Sequence, residues 1–219
     1  MPSYICEFDL DVRGEDATDY LTKIARDWPA LYADLPGVSR TLLLINAQGL
    51  GGEYGYLWRA DIDSLSTLKT IDDALNSDDK GWRTARRDWF EHRTRVRARL
   101  TRHARGTEPS YGQGDGLIHY VLSHHSNGHG GQVRELRGSL ESGWRGASGV
   151  QSVEFLTAII QPYSGERYEA WARLADLEAF AHVSKVNDEQ LAPILRSTQV
   201  QSRLYGELRE VDGALVAGA

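Results

Sequence analysis

The first hundred residues alternate between stretches of period-two and helical hydrophobic patterning. From Cys6 to Val12 every second residue is apolar and the residues between them are acidic, which is typical of a half-buried strand. From Asp16 to Leu35 apolar residues recur every three or four positions, so this stretch predicts an amphipathic helix. The patterns that follow predict strands at Val38–Asn46 and Glu53–Ile62, a helix at Leu65–Leu75, a helical turn near Trp82–Trp89 and a strand at Phe90–Leu100.

The same order of elements returns in the second half of the chain. Gly37-Val38 and Gly149-Val150 lie 112 residues apart, and each pair follows a predicted helix. A repeated strand–helix–strand–strand–helix–strand order predicts two copies of a βαββαβ unit. The second copy comprises strands at Leu117–His125, Val150–Ile160, Glu166–Leu174 and Gln199–Glu210, with helices near 130–145 and 176–195.

The stretch between the two copies is rich in glycine and polar residues, a composition typical of a linker. We therefore expect a first unit at residues 1–103, a linker at 104–116 and a second unit at 117–219.

Composition narrows the class of protein. The chain has 219 residues, 41% hydrophobic and 26% charged, with a net charge of −6, which argues against a nucleic-acid-binding domain. A single cysteine, Cys6, excludes an internal disulfide and is expected in the core. No apolar run near Met1 suits a signal peptide or a membrane span, so we expect a cytoplasmic protein with no membrane partner.

Three short features resemble the dimeric α/β-barrel superfamily: a helix that ends in Leu35-Pro36-Gly37-Val38, an aromatic third strand, and Asn76-Ser77-Asp78 ahead of Trp82. The resemblance implies an α+β fold in which two tandem ferredoxin-like βαββαβ units pack sheet to sheet as an intrachain α/β barrel, with the helices outside. Members of this superfamily include cofactor-free monooxygenases and cyclases of aromatic polyketides, lactone isomerases and heme proteins. The fold therefore does not specify the function.

If helices cover the apolar face of each sheet, the opposite face lines the barrel. In the first unit we expect an acidic row on strand one beside a basic row on strand four. These rows either neutralise each other or leave a positive charge for an anionic ligand. The predicted face consists of Glu7, Asp9 and Asp11, of Tyr54, Tyr56 and Trp58, and of Arg93, Arg95, Arg97 and Arg99.

The corresponding face of the second unit has fewer matched charges and more groups suited to proton transfer. We therefore expect the second unit to carry the chemistry, with histidine as the acid/base near neutral pH. The predicted face consists of His119, Val121, Ser123 and His125, of Glu154, of Arg167, Glu169, Trp171 and Arg173, and of Gln201, Arg203, Tyr205 and Glu207.

From these faces the sequence predicts a base, an oxyanion-stabilising group and a ring-binding group. The candidate bases are His119 and His125, with Asp9 and Glu154 as rivals. Stabilisation of an oxyanion would come from Arg95, Arg97 or Arg203 together with Tyr205, and ring binding from Tyr56, Trp58 and Trp171.

Metal and heme sites find little support in the sequence. His124, His125 and His129 match no zinc-ligand spacing. The resemblance places a heme ligand on the second helix of the unit. In the first copy that helix ends in Thr84-Ala85-Arg86-Arg87 and has no histidine, and in the second copy it has only His182, early in the helix. We expect neither a metal nor a cofactor.

The leading hypothesis is a cofactor-independent oxygenase or cyclase of secondary metabolism, of the kind found in polyketide and antibiotic biosynthesis, acting on an aromatic small molecule. A non-catalytic binding or stress protein and a heme-handling protein are the alternatives. Because a tandem repeat supplies its own pseudo-dimer, we expect a monomer or a homodimer.

Overall fold

The computed structural model describes residues 4–47, 53–104, 117–126, 130–160, 166–191 and 198–218. Apart from Ala104, the predicted linker lies outside these residues, as does His129. The chain divides into two compact units. The first comprises residues up to 46, residues 53–101 and the stretch 207–217; the second comprises the described residues between 102 and 206. The predicted boundaries themselves stay a prediction.

In the first unit, a four-stranded sheet has the order β2-β3-β1-β4, and β3 pairs antiparallel with both β1 and β2. Helices and strands follow one another close to the predicted positions. The elements are β1 (Tyr4–Val12), α1 (Ala17–Ala33), β2 (Val38–Asn46), β3 (Tyr56–Ile62), α2 (Ser66–Leu75), α3 (Lys80–His92) and β4 (Arg93–His103).

The second unit has the corresponding strand order, β6-β7-β5-β8, again with antiparallel pairing. The predicted α+β class is confirmed. The elements are β5 (Ile118–Ser126), α4 (Gly130–Gly146), β6 (Val150–Ile160), β7 (Glu166–Leu174), α5 (Leu177–Leu191) and β8 (Thr198–Val211). The last residues of β8 and a short β9 (Ala214–Ala217), which pairs with them, belong to the first unit.

The predicted helical turn near Trp82–Trp89 is a full helix, α3. Asp79 caps its start, since the Asp79 carboxylate accepts hydrogen bonds from the backbone N–H groups of Gly81 (2.8 Å) and Trp82 (3.1 Å). Such a cap satisfies donors that the first turn of a helix leaves free. Helix α3 carries Arg86 and Trp89, which contribute to the site described below.

Matched turns join the first helix of each unit to the strand that follows. Gly37 has φ +87° and Gly149 has φ +78°, a region that side chains with a Cβ rarely occupy. In both turns the glycine carbonyl accepts a hydrogen bond from the backbone N–H of the residue that follows the third strand of the unit. This residue is Asp63 after β3 (2.8 Å) and Ala175 after β7 (2.9 Å). The sequence similarity at these two positions therefore has a structural basis.

Each unit has its own core between its sheet and its helices. The second core closes around Trp144, which is fully buried. The Trp144 Nε1–H donates to Asn187 (2.9 Å), and the Asn187 side-chain amide donates in turn to the Tyr120 hydroxyl (2.9 Å). None of the helices in the described part of the chain is long and apolar enough to cross a membrane.

We predict that Gly37→Ala destabilises the protein by about 1–3 kcal/mol, because left-handed backbone is strained for alanine. The added Cβ would also collide with the Thr67 side chain. The measurement is the free energy of unfolding from urea titrations. Gly213→Ala is the matched control, since Gly213 has φ +83° but no atom within 4 Å of a new Cβ. Equal losses in the two variants would show that the contact with Thr67 is unimportant.

Candidate functional site

A cavity of about 230 Å³ lies between the sheet and the helices of the first unit. Its polar lining is confined to a few groups, and aromatic rings form most of its wall. A concave, mostly apolar site with a small number of polar groups is the usual form of a small-molecule site. The aromatic lining residues are Phe8, Trp28, Tyr32, Trp58, Trp89 and Phe90.

Local periodicity explains why these rings meet. Trp28 and Tyr32 lie one turn apart on α1, so both point to the same face of that helix. Trp58 on β3 is directly opposite Phe8 on β1, so the two share a face of the sheet. On α2, apolar residues spaced by three and four positions complete the wall, namely Leu68, Ile71 and Leu75.

The rings hold one another by edge contacts. The Trp58 ring is 5.2 Å from Trp28 at 86° and 5.5 Å from Tyr32 at 63°, measured between centroids. Trp28 is 5.5 Å from Trp89, and Phe8 is 5.7 Å from Trp89 at 85°. Edge-to-face pairs of this kind are favoured by the ring quadrupole. The wall is therefore a connected set of large, mutually oriented rings.

Three polar residues of α2 and α3 form a corner of the cavity. The Arg86 guanidinium donates to the Asn76 side-chain oxygen (3.0 Å). The Asn76 amide donates to the Asp72 backbone carbonyl (2.9 Å) and to the Asp72 carboxylate (3.2 Å). Asp72 and Asn76 are exposed and Arg86 is half-buried, so this corner brings a cation and a carboxylate to the accessible side of an apolar cavity.

Ionisable groups in the wall are held neutral. Burial, together with the nearby charges of Glu7 and Asp61, raises the pKa of the Cys6 thiol to about 12. Burial likewise raises the pKa of Tyr32, although a hydrogen bond from the Trp58 indole N–H to its hydroxyl acts in the opposite direction. Near neutral pH the cavity wall therefore offers a thiol and a phenol rather than anions.

The predicted position of Trp58 and Tyr56 is wrong. We expected both to share a face with Glu7 and Asp9, but Trp58 is opposite Phe8 and Tyr56 is opposite Leu10. Both side chains therefore pack on the helix-covered face. Alternation in the sequence puts Arg59 and Asp61 on the opposite face of β3 from Trp58, and the structure shows that this charged face is the one that Glu7 shares.

Asp9, Arg95 and Arg97 lie in a series of ion pairs on the other face of the first sheet. The Asp9 carboxylate is 1% exposed and accepts hydrogen bonds from Arg97 (2.9 Å) and Arg99. Arg95 pairs with Asp11 and is largely exposed. The acidic and basic rows thus lie side by side, as the sequence predicts, and they form ion pairs with each other.

In the second unit the predicted residues do share one face. Arg203 donates to the Ser123 hydroxyl (2.7 Å) and to the Glu169 carboxylate (3.1 Å), and Trp171 Nε1–H donates to the other Glu169 oxygen (3.1 Å). Trp171 and Tyr205 stack with centroids 6.4 Å apart. Sequence analysis placed Glu169 on this face but missed that it is the centre of the network.

His119 and Glu154 lie next to this network. The His119 ring meets the edge of Trp171 at 6.3 Å, and Glu154 is opposite Trp171 in the register of β6 and β7. His125 is in β5, but its side chain lies outside the described residues. Of the predicted site residues whose side chains the structure describes, Trp58 alone lines the cavity.

Comparison with known proteins identifies the fold. The sequence matches no known family model and no curated protein. Solved structures align over nearly the whole chain. A putative monooxygenase from Fusobacterium nucleatum has a TM-score of 0.69 at 9% identity, with 99% of this chain and 97% of that chain covered.

Two further solved structures align over a similar share of the chain. A dye-decolorizing peroxidase from Bacteroides thetaiotaomicron has a TM-score of 0.62 at 5% identity, covering 94% of this chain and 93% of that chain. An anthrone oxidase-like protein has a TM-score of 0.59 at 11% identity, covering 93% and 91%. At such identities the likeness shows the fold alone, which is consistent with a ferredoxin-like α+β fold.

We predict that the Cys6 thiol makes stability depend on alkaline pH. Its pKa is about 12 in the folded protein against 9.0 for a free thiol, so above pH 9 only the unfolded chain releases this proton. Stability is complete below pH 9 and falls as the pH rises toward 12, by about 1.4 kcal/mol per pH unit from this group.

The measurement compares the wild type with Cys6→Ala by urea unfolding at pH 8 and pH 10.5. Burial is the largest cause of the raised pKa values of Tyr20, Tyr32 and Tyr120, and it is present in both proteins, so most of the tyrosine contribution cancels in the comparison. The advantage of the wild type should shrink by about 2 kcal/mol between the two pH values. A difference that does not change with pH would show that the thiol is not buried as described.

Proposed function

We propose that this chain is an oxygenase-type enzyme that binds a planar aromatic molecule in the cavity of the first unit and oxidises it with dioxygen, without a bound cofactor. One observation carries the proposal: an enclosing wall of aromatic rings meets a guanidinium and a carboxylate at its accessible side. The neighbours described as a monooxygenase and as anthrone oxidase-like support the same class of chemistry.

The size of the cavity limits the substrate. An apolar protein cavity of about 150 Å³ takes up benzene, and drug-sized ligand sites begin near about 300 Å³. A cavity of about 230 Å³ therefore suits a compact fused-ring molecule. The aromatic wall favours flat rings, which stack or meet edge to face at little conformational cost.

The polar corner supplies what an electron-rich aromatic substrate needs. The proposed substrate is a cyclic aromatic ketone with an activated ring CH₂ group. Removal of a CH₂ proton gives an enolate, and the Arg86 guanidinium stabilises negative charge that develops at this edge of the cavity. The Asp72 carboxylate, hydrogen-bonded to Asn76, is the proposed proton acceptor, directly or through one water molecule.

The overall reaction then balances without an external reductant. The carbanion transfers electrons to dioxygen, and one oxygen atom bonds to the ring carbon. That carbon becomes a carbonyl, and the second oxygen atom leaves as water together with the two hydrogens of the CH₂ group. A cyclase would use the same deprotonation and let the carbanion attack a carbonyl carbon of the same molecule.

A heme-handling function fits this cavity poorly. None of the lining side chains that the structure describes is a histidine. The pKa of Cys6 is about 12, and the pKa of Tyr32 is raised, so neither is ready to act as an anionic iron ligand. A non-catalytic carrier would use the same ring wall, and the activity assay below separates it from an enzyme.

The histidines of the second unit stay a separate proposal. There His119, His125 or Glu154 would act as the base, with Trp171, Arg203 and Tyr205 as substrate-binding groups. The hydrogen bonds from Arg203 to Glu169 (3.1 Å) and to the Tyr205 hydroxyl (3.3 Å) support a structural role for Arg203 and Tyr205 instead, because a buried ion pair is a common structural device.

We also propose that the two units are tandem copies of one ferredoxin-like unit, so that a single chain supplies the two copies that a dimer would otherwise bring together. The matched turns at Gly37 and Gly149 and the equivalent strand orders support this. Light scattering should then give a mass near 24.5 kDa at low concentration. An obligate dimer at every concentration would contradict it.

We predict that the purified protein accelerates oxygen uptake by 1,8-dihydroxyanthrone, and that Arg86→Ala lowers kcat/KM about 100-fold or more, because it removes the stabilising charge. Asp72→Asn should cost a similar factor of about 100 if Asp72 takes the proton. An oxygen electrode measures the rate above that of heat-denatured protein.

Arg83→Ala and Asp73→Asn are the matched controls. Both residues are exposed, lie on the same helices and do not line the cavity, so both variants should keep full activity. Loss of turnover in His119→Gln with full activity in Arg86→Ala would instead place the chemistry in the second unit. Binding without turnover in the wild type would identify a carrier.

A further inference from the structure

The end of α3 carries three side chains of the kinds that bind metal ions. Glu91 and His92 are three and four residues after Asp88, so both are neighbours of Asp88 on the surface of the helix. One ligand atom from each of the three residues lies within 4.8 Å of the other two. Two ligands at positions i and i+4 of a helix are a known arrangement for holding Zn²⁺. Spacing and proximity together therefore indicate a possible ion site.

This cluster is open to solvent on one side. Asp88 is buried, His92 is half-buried, and the Glu91 side chain is 58% exposed. Glu91 and His92 are also the last two residues of α3, where the helix dipole favours positive charge. An ion from solution therefore has access to the cluster and is attracted to it.

Groups from the start of α1 hold the His92 ring in place. The Asp16 carboxylate lies 3.5 Å from His92 Nδ1, and the Tyr20 ring packs on the imidazole with centroids 4.9 Å apart. Histidines that bind metal ions commonly have a carboxylate beside the other ring nitrogen, which fixes the orientation of the ring. With Asp16 beside Nδ1, the Nε2 atom of His92 is the one left to bind an ion.

The Tyr20 hydroxyl is a buried donor next to the same cluster. Tyr20 is 1% exposed, and no group among the described residues accepts a hydrogen bond from its hydroxyl. Native proteins keep few buried donors of this kind. Burial raises the pKa of Tyr20 and the charge of Asp88 raises it further, so the hydroxyl lies within electrostatic reach of that carboxylate. It is placed to support Asp88 from behind, without touching an ion itself.

Two cations lie beside the carboxylates. Lys23 Nζ is 3.8 Å from Asp88, and the Arg87 guanidinium is 3.1 Å from Asp88 and 3.8 Å from Glu91. Both cationic side chains are exposed, and exposed ion pairs are weak. A divalent ion would therefore compete with Lys23 and Arg87 for the same oxygens, which gives the site a property that mutation can test.

We propose that Asp88, Glu91 and His92 bind a divalent transition-metal ion, with Zn²⁺ as the type case, and that Asp16 and Tyr20 support these ligands. An imidazole nitrogen together with carboxylate oxygens suits Zn²⁺, whereas Mg²⁺ prefers oxygen ligands alone. None of the three ligands lines the cavity, so this site is independent of the proposed function. The ion would join the end of α3 to the start of α1.

Isothermal titration of the chelator-treated full chain with ZnCl₂ at pH 7 tests the site. The wild type should bind one equivalent of Zn²⁺ and should bind MgCl₂ more weakly. Glu91→Gln and His92→Gln should each raise the Kd for Zn²⁺ more than about tenfold, because each removes a ligand. Asp16→Asn and Tyr20→Phe should each raise it about tenfold, the usual effect of losing a supporting group. Circular dichroism checks that each variant is folded.

Lys23→Gln should change the affinity in the opposite direction. Because it removes a competing cation, Zn²⁺ should bind about two- to fivefold tighter, which corresponds to the strength of an exposed ion pair. Asp73→Asn is the matched control, since Asp73 is an exposed carboxylate that pairs with Lys69 on α2. This variant should leave the Kd for Zn²⁺ unchanged.

Three results would overturn the proposal. The first is a wild type that does not bind Zn²⁺ at millimolar concentration. The second is binding that persists in both Glu91→Gln and His92→Gln, which would place the ion elsewhere on the chain. The third is binding lost in Glu91→Gln but kept in His92→Gln, which would indicate a carboxylate site without the imidazole. Since none of these readouts depends on turnover, they leave the proposed oxygenase activity to its own assay.

Discussion

Side chains on an extended strand point alternately to the two faces of its sheet, and directly opposite residues of an antiparallel pair share a face. The pairing of Phe8 with Trp58 therefore places both rings under the helices of the first unit. The next pair along, Glu7 with Arg59, is placed on the other face. A slip of one residue would exchange the two sets. The cavity and the ion-paired face thus depend on the same register.

Buried ion pairs on the charged face make a change of that register energetically unfavourable. Asp61 is fully buried and pairs with Arg59 (2.7 Å) and Arg40 (2.9 Å). Burial by itself would raise the pKa of Asp61, but the two guanidinium groups outweigh it and hold that pKa below its ordinary value. Removing one partner of a buried ion pair leaves an uncompensated charge and destabilises the fold by about 3–5 kcal/mol. The second unit uses the same principle around Glu169 and Arg203.

The helix-covered faces of the two units differ in how they are filled. In the second unit, Trp144 is fully buried and its indole is bonded to Asn187. In the first unit, Trp28 contacts both Trp58 and Trp89, and these three rings line an open cavity. Rigid rings fill irregular space poorly, whereas flexible side chains such as methionine adapt to it. The units thus differ in packing because their helices present different residues to similar sheets.

The sequence by itself determined the helices and strands, because hydrophobic periodicity is local. It also determined the charged rows of β1 and β4 and the shared face of His119, Val121 and Ser123 on β5, since alternation within one strand needs no knowledge of its neighbours. Only the tertiary structure decided which face Trp58 occupies, because that follows from pairing with a strand about fifty residues away. The place of the cavity was likewise decided by packing among α1, α2, α3 and β3. Contacts between residues so distant in the chain leave no periodic signal in the sequence.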